Sequence, residues 1–240
     1  MNKLLKIFDR FWAWRLGNNE ADLDNARIEP VDVIERGSKE TWIIFIPGTA
    51  YHVPISRKRF TPRKGNVIIY ALPRSILSPD AIRLKKMFMS FYKNALRTVR
   101  ERKIKKENLK ILSSSMGSIP AFMLANTHGC KRFVTVAPVC DLPREIEESL
   151  ATRMMLIRAK DYGYSKKRIK EEFKEISPKY NHENMDGEIE ISVGEYDYIA
   201  PSKAMQNLAR KMKKEGKNVK LSVHPHFGHV LLIWLFKIKE

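Results

Sequence analysis

The sequence predicts an α/β protein with a doubly wound, mostly parallel sheet of about seven strands and a short helical cap. Three observations favour this fold class. Short apolar segments alternate with longer amphipathic ones along most of the chain, as in sheets that have helices on both faces. Small and chemically reactive residues follow several of these segments, where the carboxyl ends of parallel strands would bring them together. The 240 residues are enough for one such domain and too few for two.

The predicted strands are short runs of apolar and β-branched residues, bounded by turn residues. The first two are separated by a turn at residues 37–39, and the second is expected to be fully buried because nearly all of its side chains are apolar. The segment after it, residues 51–65, is predicted as a basic loop. The seven strands are predicted at residues 27–34, 41–46, 66–71, 109–113, 133–137, 188–193 and 219–223.

The predicted helices have apolar residues at helical spacing. The longest spans residues 81–102, and Asp80 is expected to cap its N-terminus. Residues 142–186, between the fifth and sixth strands, have a charged helical pattern and are predicted to form the cap. The other helices are predicted at residues 118–127, 144–157, 165–173 and 201–215, with a last one beginning near His229.

Residues 1–26 are predicted as an N-terminal amphipathic helix and a connector, and residues 27–240 as the α/β domain. In residues 1–17, aromatic and aliphatic side chains recur at near-helical spacing among basic ones, which is typical of a helix at a membrane interface. This pattern predicts peripheral contact with a membrane. The alternative is a terminal helix that docks on the domain through the same aromatic side chains.

The net charge of +18, from 45 basic and 27 acidic residues, raises the question of an anionic partner. The basic residues are spread over predicted helical surfaces and belong to no recognisable base-reading module, so a lysine-rich solvated surface is the favoured interpretation. No nucleic-acid partner is expected. An anionic substrate or membrane surface is the alternative, and the basic loop at residues 57–64 is a candidate for attracting a phosphate or carboxylate.

Cysteine usage and hydropathy predict a cytoplasmic protein. Cys130 and Cys140 lie ten residues apart, a spacing that matches no metal or redox motif, so free thiols are expected and neither a metal nor a cofactor is predicted. The longest apolar run, residues 230–236, has seven residues, well short of the roughly 18 that span a bilayer. No secretory signal is predicted at the N-terminus, which lacks an apolar core followed by a cleavage site.

Ser115 is a candidate nucleophile because it follows the fourth predicted strand and precedes a predicted helix. A serine on such a sharp turn needs small residues two positions before and after it, since the backbone packs closely on itself there. Ser113 and Gly117 meet this need. The usual pattern is G-x-S-x-G, whereas this chain has S-x-S-x-G, and a serine-rich turn without catalytic function is the alternative interpretation.

Asp197 and His229 complete a candidate constellation with Ser115. Asp197 follows the sixth predicted strand and His229 follows the seventh, so all three residues are expected at the carboxyl ends of strands. Their order along the chain is Ser, Asp, His, with separations of 82 and 32 residues. Each residue alone also has a structural explanation, because Asp197 is placed to cap the helix at 201–215 and His229 to bond locally at a helix start.

The segments around these residues resemble the α/β-hydrolase superfamily. Residues 194–201 (GEYDYIAP) are similar to its acid loop, and Gly228-His229 is similar to its Gly-His after the last strand. Pro47-Gly48-Thr49 is similar to its oxyanion loop, with proline where the family usually has histidine, and Ser177-Pro178 resembles the end of its cap segment. The resemblance begins near Arg27 and extends to the C-terminus.

This resemblance implies the α/β-hydrolase fold and a serine hydrolase in which Ser115 is the nucleophile. A serine hydroxyl needs a neutral imidazole to take its proton during attack, which is the role given to His229. Asp197 would orient that imidazole. The resemblance also suggests that the backbone N–H groups of Thr49 and Met116 form the oxyanion hole.

Alternative assignments stay open at this stage. His226 lies three residues before His229 and is an alternative base, although no glycine precedes it. Glu195 and Asp141 are alternative acids. Asp141 follows the fifth predicted strand, a position that some members of the family use.

The favoured hypothesis is a serine hydrolase that cleaves a carboxylic ester or thioester, with an anionic or lipid-like substrate as a further expectation. Met154, Met155 and Tyr162 in the cap are candidates for the lining of an acyl pocket, although ordinary packing of the cap on the core explains the methionine pair equally well. The alternative is a non-catalytic α/β-hydrolase-like binding protein, held at the inner membrane surface by residues 1–17.

Overall fold

The computed structural model describes residues 7, 10, 11, 14, 27–73, 78–149 and 152–238, without the side chains of residues 153–155. Its seven-stranded sheet has the order β1-β3-β2-β4-β5-β6-β7. β1 pairs antiparallel with β3, and every other pair is parallel. The strands are β1 (Asp32–Ile34), β2 (Thr41–Pro47), β3 (Asn66–Leu72), β4 (Leu109–Ser114), β5 (Arg132–Val136), β6 (Glu188–Gly194) and β7 (Val219–His224).

Helices connect the parallel strands, so the predicted α/β class with a mostly parallel sheet is confirmed. They are α1 (Gly48–Tyr51), α2 (Pro54–Phe60), α3 (Ala81–Glu101), α4 (Ser118–His128), α5 (Leu142–Glu148), α6 (Arg153–Arg158), α7 (Lys166–Lys174), α8 (Ser202–Lys214) and α9 (His229–Leu235). Short 3-10 turns occupy residues 106–108, 115–117, 159–162 and 178–180.

The sheet is covered on both faces, which explains why its central strands are continuous apolar runs. Alternate side chains of β2 point to opposite sides. Ile43 and Phe45 belong to the core that contains residues of α3, α4, α5, α7 and α8. Trp42, Ile44 and Ile46 belong to a second core with residues of α1, α2 and α9. All five of these β2 side chains are buried.

The chain reverses its direction of winding between β2 and β4. From β2 it passes outward to β3, then returns across β2 to β4 and continues toward β7. In an open parallel sheet, such a reversal leaves a crevice at the carboxyl ends of the two strands, where ligands bind. The segments that follow β2 and β4 contain Thr49 and Ser115.

The first strand is shorter than predicted. Only Asp32–Ile34 pairs as a strand, whereas the sequence predicts residues 27–34. Pro30 precedes the paired residues and has no N–H to donate to a neighbouring strand. Proline is therefore tolerated at the start of a strand but seldom within it. Pairing nevertheless begins at Val31, whose N–H donates to the carbonyl oxygen of Ile69 at 2.8 Å.

A loop prediction and a helix prediction are also wrong. The basic loop at 51–65 contains α2, which begins at Pro54, a residue suited to a first helical position. The single helix predicted at 144–157 is broken after Glu148, because Ser149 is extended. The Thr152 hydroxyl donates to the carbonyl oxygen of Ile146 at 2.9 Å and so satisfies the end of α5. The short helix α1 is not predicted either, and the other predicted helices and strands differ from the structure by one or two residues at their ends.

The start of the long helix α3 agrees with prediction. The Arg83 N–H donates to the Asp80 carboxylate at 3.0 Å, so Asp80 is its N-cap. The helical insertion between β5 and β6 packs against this helix: Lys85 of α3 pairs with Glu172 at 3.1 Å and with Glu175 at 2.6 Å. The Tyr164 hydroxyl donates to Asp80 at 2.9 Å. The function of residues 142–186 as a cap stays a prediction.

Of the predicted N-terminal helix, the structure describes residues 7, 10, 11 and 14, all in helical conformation. The rest of the segment 1–26 lies outside the described residues, so its division from the α/β domain also stays a prediction. None of the helices in the described part of the chain combines the length and apolar character needed to cross a membrane.

Candidate active site

The candidate site begins at Ser115, where the backbone turns sharply from β4 toward α4. Ser115 has a φ of +51°, a left-handed conformation that is uncommon for residues other than glycine and costs energy. Gly117 makes the turn compatible with its surroundings, because a Cβ there would lie 2.4 Å from the carbonyl oxygen of Phe45 in β2. The close contact between this turn and β2 therefore requires glycine at position 117.

Ser113 fits the position where the common motif has glycine. Its side chain is buried, and its hydroxyl donates to the Thr135 hydroxyl of β5 at 2.9 Å. These two residues are directly paired in the register of β4 and β5. The extra hydroxyl thus has a partner in the neighbouring strand, which offsets the cost of burying it.

Ser115, His229 and Asp197 form a continuous chain of hydrogen bonds. His229 Nε2 lies 2.7 Å from Ser115 Oγ, and His229 Nδ1 lies 2.7 Å from Asp197 Oδ2. All three residues are buried. Because a carboxylate can only accept, Nδ1 is the nitrogen that donates, and the lone pair of Nε2 in the neutral ring accepts from the serine hydroxyl. This tautomer is the one that a general base requires.

Asp197 is held in orientation by its own loop. Its Oδ1 atom accepts from the N–H groups of Ile199 at 3.0 Å and Ala200 at 2.7 Å. The other oxygen is therefore left facing His229. Asp197 satisfies backbone donors just before α8 and contacts the imidazole at the same time, so the two explanations that the sequence suggested for it are compatible.

The loops after β6 and β7 approach each other closely, which brings the acid and the base together. A Cβ at Gly194 would lie 2.4 Å from the carbonyl oxygen of Phe227. The same carbonyl accepts from the Tyr196 N–H at 3.0 Å, and the Glu195 N–H donates to the His224 carbonyl at 3.1 Å. His229 follows immediately as the first residue of α9.

The alternative acids and base lie in other contacts. The His226 N–H donates to Glu195 Oε2 at 3.1 Å, and both of these side chains are about half exposed. Asp141 pairs with Lys179 at 2.7 Å. Among the sequence candidates, the hydrogen-bonded chain therefore joins Ser115, His229 and Asp197.

Thr49 and Met116 occupy equivalent positions after adjacent strands. Thr49 is the second residue of α1, which follows β2, and Met116 is the second residue of the turn that follows β4. The N–H groups in the first turn of a helix have no acceptor within that helix. Both backbone groups are thus suited to bind an oxygen at the β2–β4 crevice, and their part in an oxyanion hole stays a prediction.

Of the three candidates for the lining of an acyl pocket, only Tyr162 has a described side chain. The side chains of Met154 and Met155 lie outside the described residues, and Tyr162 is 54% exposed.

Within the described part of the chain, no cluster of three His, Cys, Asp or Glu side chains is arranged to hold a metal ion. Cys130 and Cys140 are free and buried. Burial raises the pKa of Cys130 to about 12 and the pKa of Cys140 well above its usual value.

Sequence reasoning missed two polar residues that support the site. The Ser118 hydroxyl accepts from the Val139 N–H at 3.1 Å and links the start of α4 to the loop after β5. Glu145 is buried, and one of its oxygens accepts from the N–H groups of Cys140 at 2.9 Å and Asp141 at 3.1 Å. The only sequence signal for Glu145 is an acidic residue within an otherwise amphipathic helix.

Burial raises the pKa of Glu145 to about 8. The two backbone donors oppose this shift, and the negative charges of Asp197 and Asp141 add to it. Glu145 thus senses the charge of the candidate acid without bonding to the imidazole.

Comparison with known proteins identifies the fold. No family model matches the chain, and no curated protein matches it. Among solved structures, a puromycin-hydrolyzing peptidase from Mycobacterium tuberculosis superposes with a TM-score of 0.60 at 14% identity, covering 82% of this chain and 32% of the peptidase. Thermogutta terrifontis esterase 2 superposes with a TM-score of 0.54 at 14% identity, covering 84% of this chain and 78% of the esterase. Esterase PE8 gives a TM-score of 0.53 at 8% identity, covering 84% and 91%.

The chain has the α/β-hydrolase fold. It spans about a third of the length of the peptidase and most of the length of the two esterases. In this fold, Ser115, Asp197 and His229 follow β4, β6 and β7 at the carboxyl edge of the sheet.

Proposed function

We propose that this protein is a serine hydrolase that cleaves a carboxylic ester or thioester through an acyl-enzyme on Ser115. The observation that supports it most directly is the buried chain of hydrogen bonds from Asp197 through His229 to Ser115, with both links at 2.7 Å. Isolated pairs of this kind are common in proteins. A serine on a strained turn, bonded to an imidazole that a carboxylate orients, is the arrangement needed to activate a hydroxyl at neutral pH.

In the proposed first half-reaction, Ser115 Oγ attacks the carbonyl carbon while its proton moves to His229 Nε2. The resulting imidazolium faces Asp197, which stabilises the positive charge and keeps the ring in place. As the tetrahedral intermediate collapses, the bond to the alcohol or thiol breaks and the leaving group takes the proton from His229. An acyl group then remains on Ser115.

In the second half-reaction, a water molecule takes the place of the leaving group. His229 accepts a proton from the water as its oxygen attacks the acyl carbon, and it returns that proton to Ser115 Oγ when the acid is released. In both halves the negative oxygen would be stabilised by the backbone N–H groups of Thr49 and Met116. Each such donor is typically worth about 3 kcal/mol of barrier.

The ester or thioester substrate is our own proposal, since the solved structures that share the fold include esterases and peptidases alike. A panel of p-nitrophenyl esters of increasing chain length would identify the acyl group that the site accepts.

A fluorophosphonate probe tests the nucleophile. The native protein is expected to be labelled, and Ser115→Ala is expected to abolish labelling, because the probe reacts with an activated serine. Ser114→Ala is the matched control, since it removes a neighbouring buried hydroxyl that has no hydrogen-bond partner among the described residues. Retained labelling of Ser115→Ala would contradict the assignment, and no labelling of the native protein would favour the non-catalytic binding protein instead.

Substitution of the two histidines tests the base. His229→Ala is expected to reduce the rate of ester hydrolysis by a factor on the order of 10³ or more. His226→Ala is the control and is expected to change the rate by less than about tenfold, because His226 contacts Glu195 on the outside of the loop. The reverse pattern would assign the base to His226.

A further inference from the structure

We propose that the helical face formed by Ile7, Phe11 and Trp14, here called the apolar face, docks on an anionic phospholipid bilayer beside the candidate active site. The docking itself does not depend on the chemistry proposed for Ser115. The consequence of docking for the substrate does rest on the proposed function. A hydrolase held at a bilayer would act on amphiphilic esters dissolved in that bilayer.

The three side chains of the apolar face are exposed. Residues 7, 11 and 14 are separated by four and three positions, which places them on one side of a helix. Ile7 is 62% exposed, Phe11 is 50% exposed and Trp14 is 63% exposed. The rings of Phe11 and Trp14 lie 6.3 Å apart between centroids. Large apolar side chains exposed together in this way mark a surface that contacts a partner or a membrane.

The position of Arg10 connects the apolar face to the candidate site. Its guanidinium lies 5.1 Å from the centre of the Tyr198 ring, within the range of an attractive cation–π contact. Tyr198 directly follows Asp197, which accepts the hydrogen bond from His229. Arg10, which immediately precedes Phe11 of the apolar face, therefore lies against the loop that supplies the candidate acid, at the carboxyl edge of the sheet.

Charge identifies an anionic lipid surface as the partner. The first 16 residues contain one acidic residue, Asp9, and four basic residues, Lys3, Lys6, Arg10 and Arg15. Isoleucine and aromatic side chains flanked by Lys and Arg match the boundary between lipid headgroups and acyl chains, where the basic groups meet phosphates. The predicted cytoplasmic location would make the inner leaflet the relevant surface.

Other partners fit less well. A second copy of the chain would bring another net charge of +18 toward the first, and like charges oppose such contact. A nucleic acid would satisfy the basic residues and the aromatic rings, but it offers no apolar phase to cover Ile7, which has no ring to stack on a base.

Vesicle flotation tests the docking. The full chain is mixed with phosphatidylcholine vesicles or with vesicles that contain phosphatidylglycerol as well, in about 0.1 M NaCl. We expect the native protein to float with the phosphatidylglycerol vesicles and to bind phosphatidylcholine at least about tenfold more weakly. The double variant Phe11→Ser/Trp14→Ser is expected to reduce partition to the anionic vesicles at least about tenfold.

Val33→Thr is the matched control, because Val33 is a partly exposed apolar residue on the edge strand β1, at the other end of the sheet from β6 and β7. It should float as the native protein does. Equal flotation of the native protein and the Phe11/Trp14 variant overturns the proposal, as does equal binding to the two vesicle types. A dimer in solution that the double variant dissolves, with no vesicle binding, would assign the apolar face to a second copy and also overturn it.

Two further measurements separate this proposal from the proposed function. Ser115→Ala should float like the native protein, and fluorophosphonate labelling of the native protein reports the nucleophile without vesicles. Flotation without labelling would contradict only the proposed hydrolase function. Labelling without flotation would contradict only the proposed docking. The substrate consequence predicts that Phe11→Ser/Trp14→Ser lowers the ratio of long-chain to short-chain ester hydrolysis in anionic vesicles, and an unchanged ratio contradicts it.

Discussion

At the scale of single residues, close packing fixes the geometry around Ser115 and Asp197. Gly117 and Gly194 are both sites where a Cβ would approach a backbone carbonyl oxygen to 2.4 Å, of Phe45 in one case and of Phe227 in the other. Gly117 has an ordinary helical φ of −62°. Glycine is needed at these positions for space and not for backbone freedom, so any side chain there must displace the turn or its neighbour.

Gly117→Ala tests this packing. The added methyl group should push the Ser115 turn away from β2 and lower the free energy of unfolding by about 1–3 kcal/mol. The rate of fluorophosphonate labelling should fall with it, since the Ser115–His229 distance changes. Gly163→Ala is the control for lost stability alone: its φ of +73° strains an alanine, but no described atom lies within 4 Å of a Cβ there, so the labelling rate should not change. Wild-type labelling by a stably folded Gly117→Ala protein would contradict the argument.

Ser113 makes a second prediction at this scale. Replacing it by the glycine of the common motif removes the donor to Thr135 and leaves a buried hydroxyl alone. We expect Ser113→Gly to be less stable by about 1–3 kcal/mol in urea unfolding, while the labelling rate of Ser115 stays within about threefold because the turn itself is kept. A double-mutant cycle with Thr135→Val isolates the pair, and a coupling energy near zero would show that the hydrogen bond does not stabilise the fold.

At the scale of elements, α5 is joined to the end of β5 by a buried carboxyl group. Glu145 accepts from the backbone of Cys140 and Asp141, and burial raises its pKa to about 8 from an ordinary value of 4.5. Between these two values, the folded protein keeps a proton that the unfolded chain releases. Stability therefore falls as the pH rises through this window.

Glu145→Gln tests the effect on stability. Glutamine keeps an oxygen that can accept from the two N–H groups, but it does not titrate. The unfolding temperature of the native protein should decrease between pH 5 and pH 8 more steeply than that of the variant, by an amount that reflects the shift of this one group. Parallel slopes in the two proteins would mean that Glu145 is ionised throughout. Glu147→Gln, on the exposed side of α5, is the control.

The same elements show what the sequence was able to predict. Strands such as β2 and β3 follow from apolar runs of the right length, and the long helix α3 follows from its apolar spacing and from Asp80. The helix α2 could not be predicted because it has only seven residues, three of them consecutive basic ones, and it is held by tertiary contacts such as that of Phe60 with Phe236. The break after Glu148 is accompanied by a local hydrogen bond from the Thr152 hydroxyl to the Ile146 carbonyl oxygen, which the spacing of apolar residues does not reveal.

The candidate site was predictable in part for a similar reason. Order along the chain and position after strands single out Ser115, Asp197 and His229. The sequence favours His229 over His226 because Gly228 precedes it, whereas the hydrogen bonds of His229 to Asp197 and Ser115 are seen only in the fold. Supporting residues such as Thr135 and Glu145 have no local pattern, because their partners belong to other elements.

At the scale of the whole molecule, the excess of positive charge is the dominant feature. Some basic residues are paired: Lys110 and Lys131 both contact Glu40 at 2.6 Å, and these bonds lower the pKa of Glu40. Acidic partners are too few for all 45 basic residues, and the net charge is +18. Mutual repulsion among the remaining charges opposes the compact state more than the extended one.

Salt should therefore stabilise this protein. The Debye length falls from roughly 20 Å at about 20 mM salt to about 7 Å at about 200 mM, so repulsion between distant lysines is screened while short ion pairs lose less. We expect NaCl to raise the unfolding temperature by about 2–4 °C over this range, which corresponds to about 1 kcal/mol for a chain of this size.

Lys203→Glu lowers the net charge by two units at an exposed position in the first turn of α8, where an acidic residue is also favoured. This variant should be more stable than the native protein at low salt and should gain less from added NaCl. An unfolding temperature that stays constant or falls with NaCl would show that the ion pairs outweigh the net repulsion.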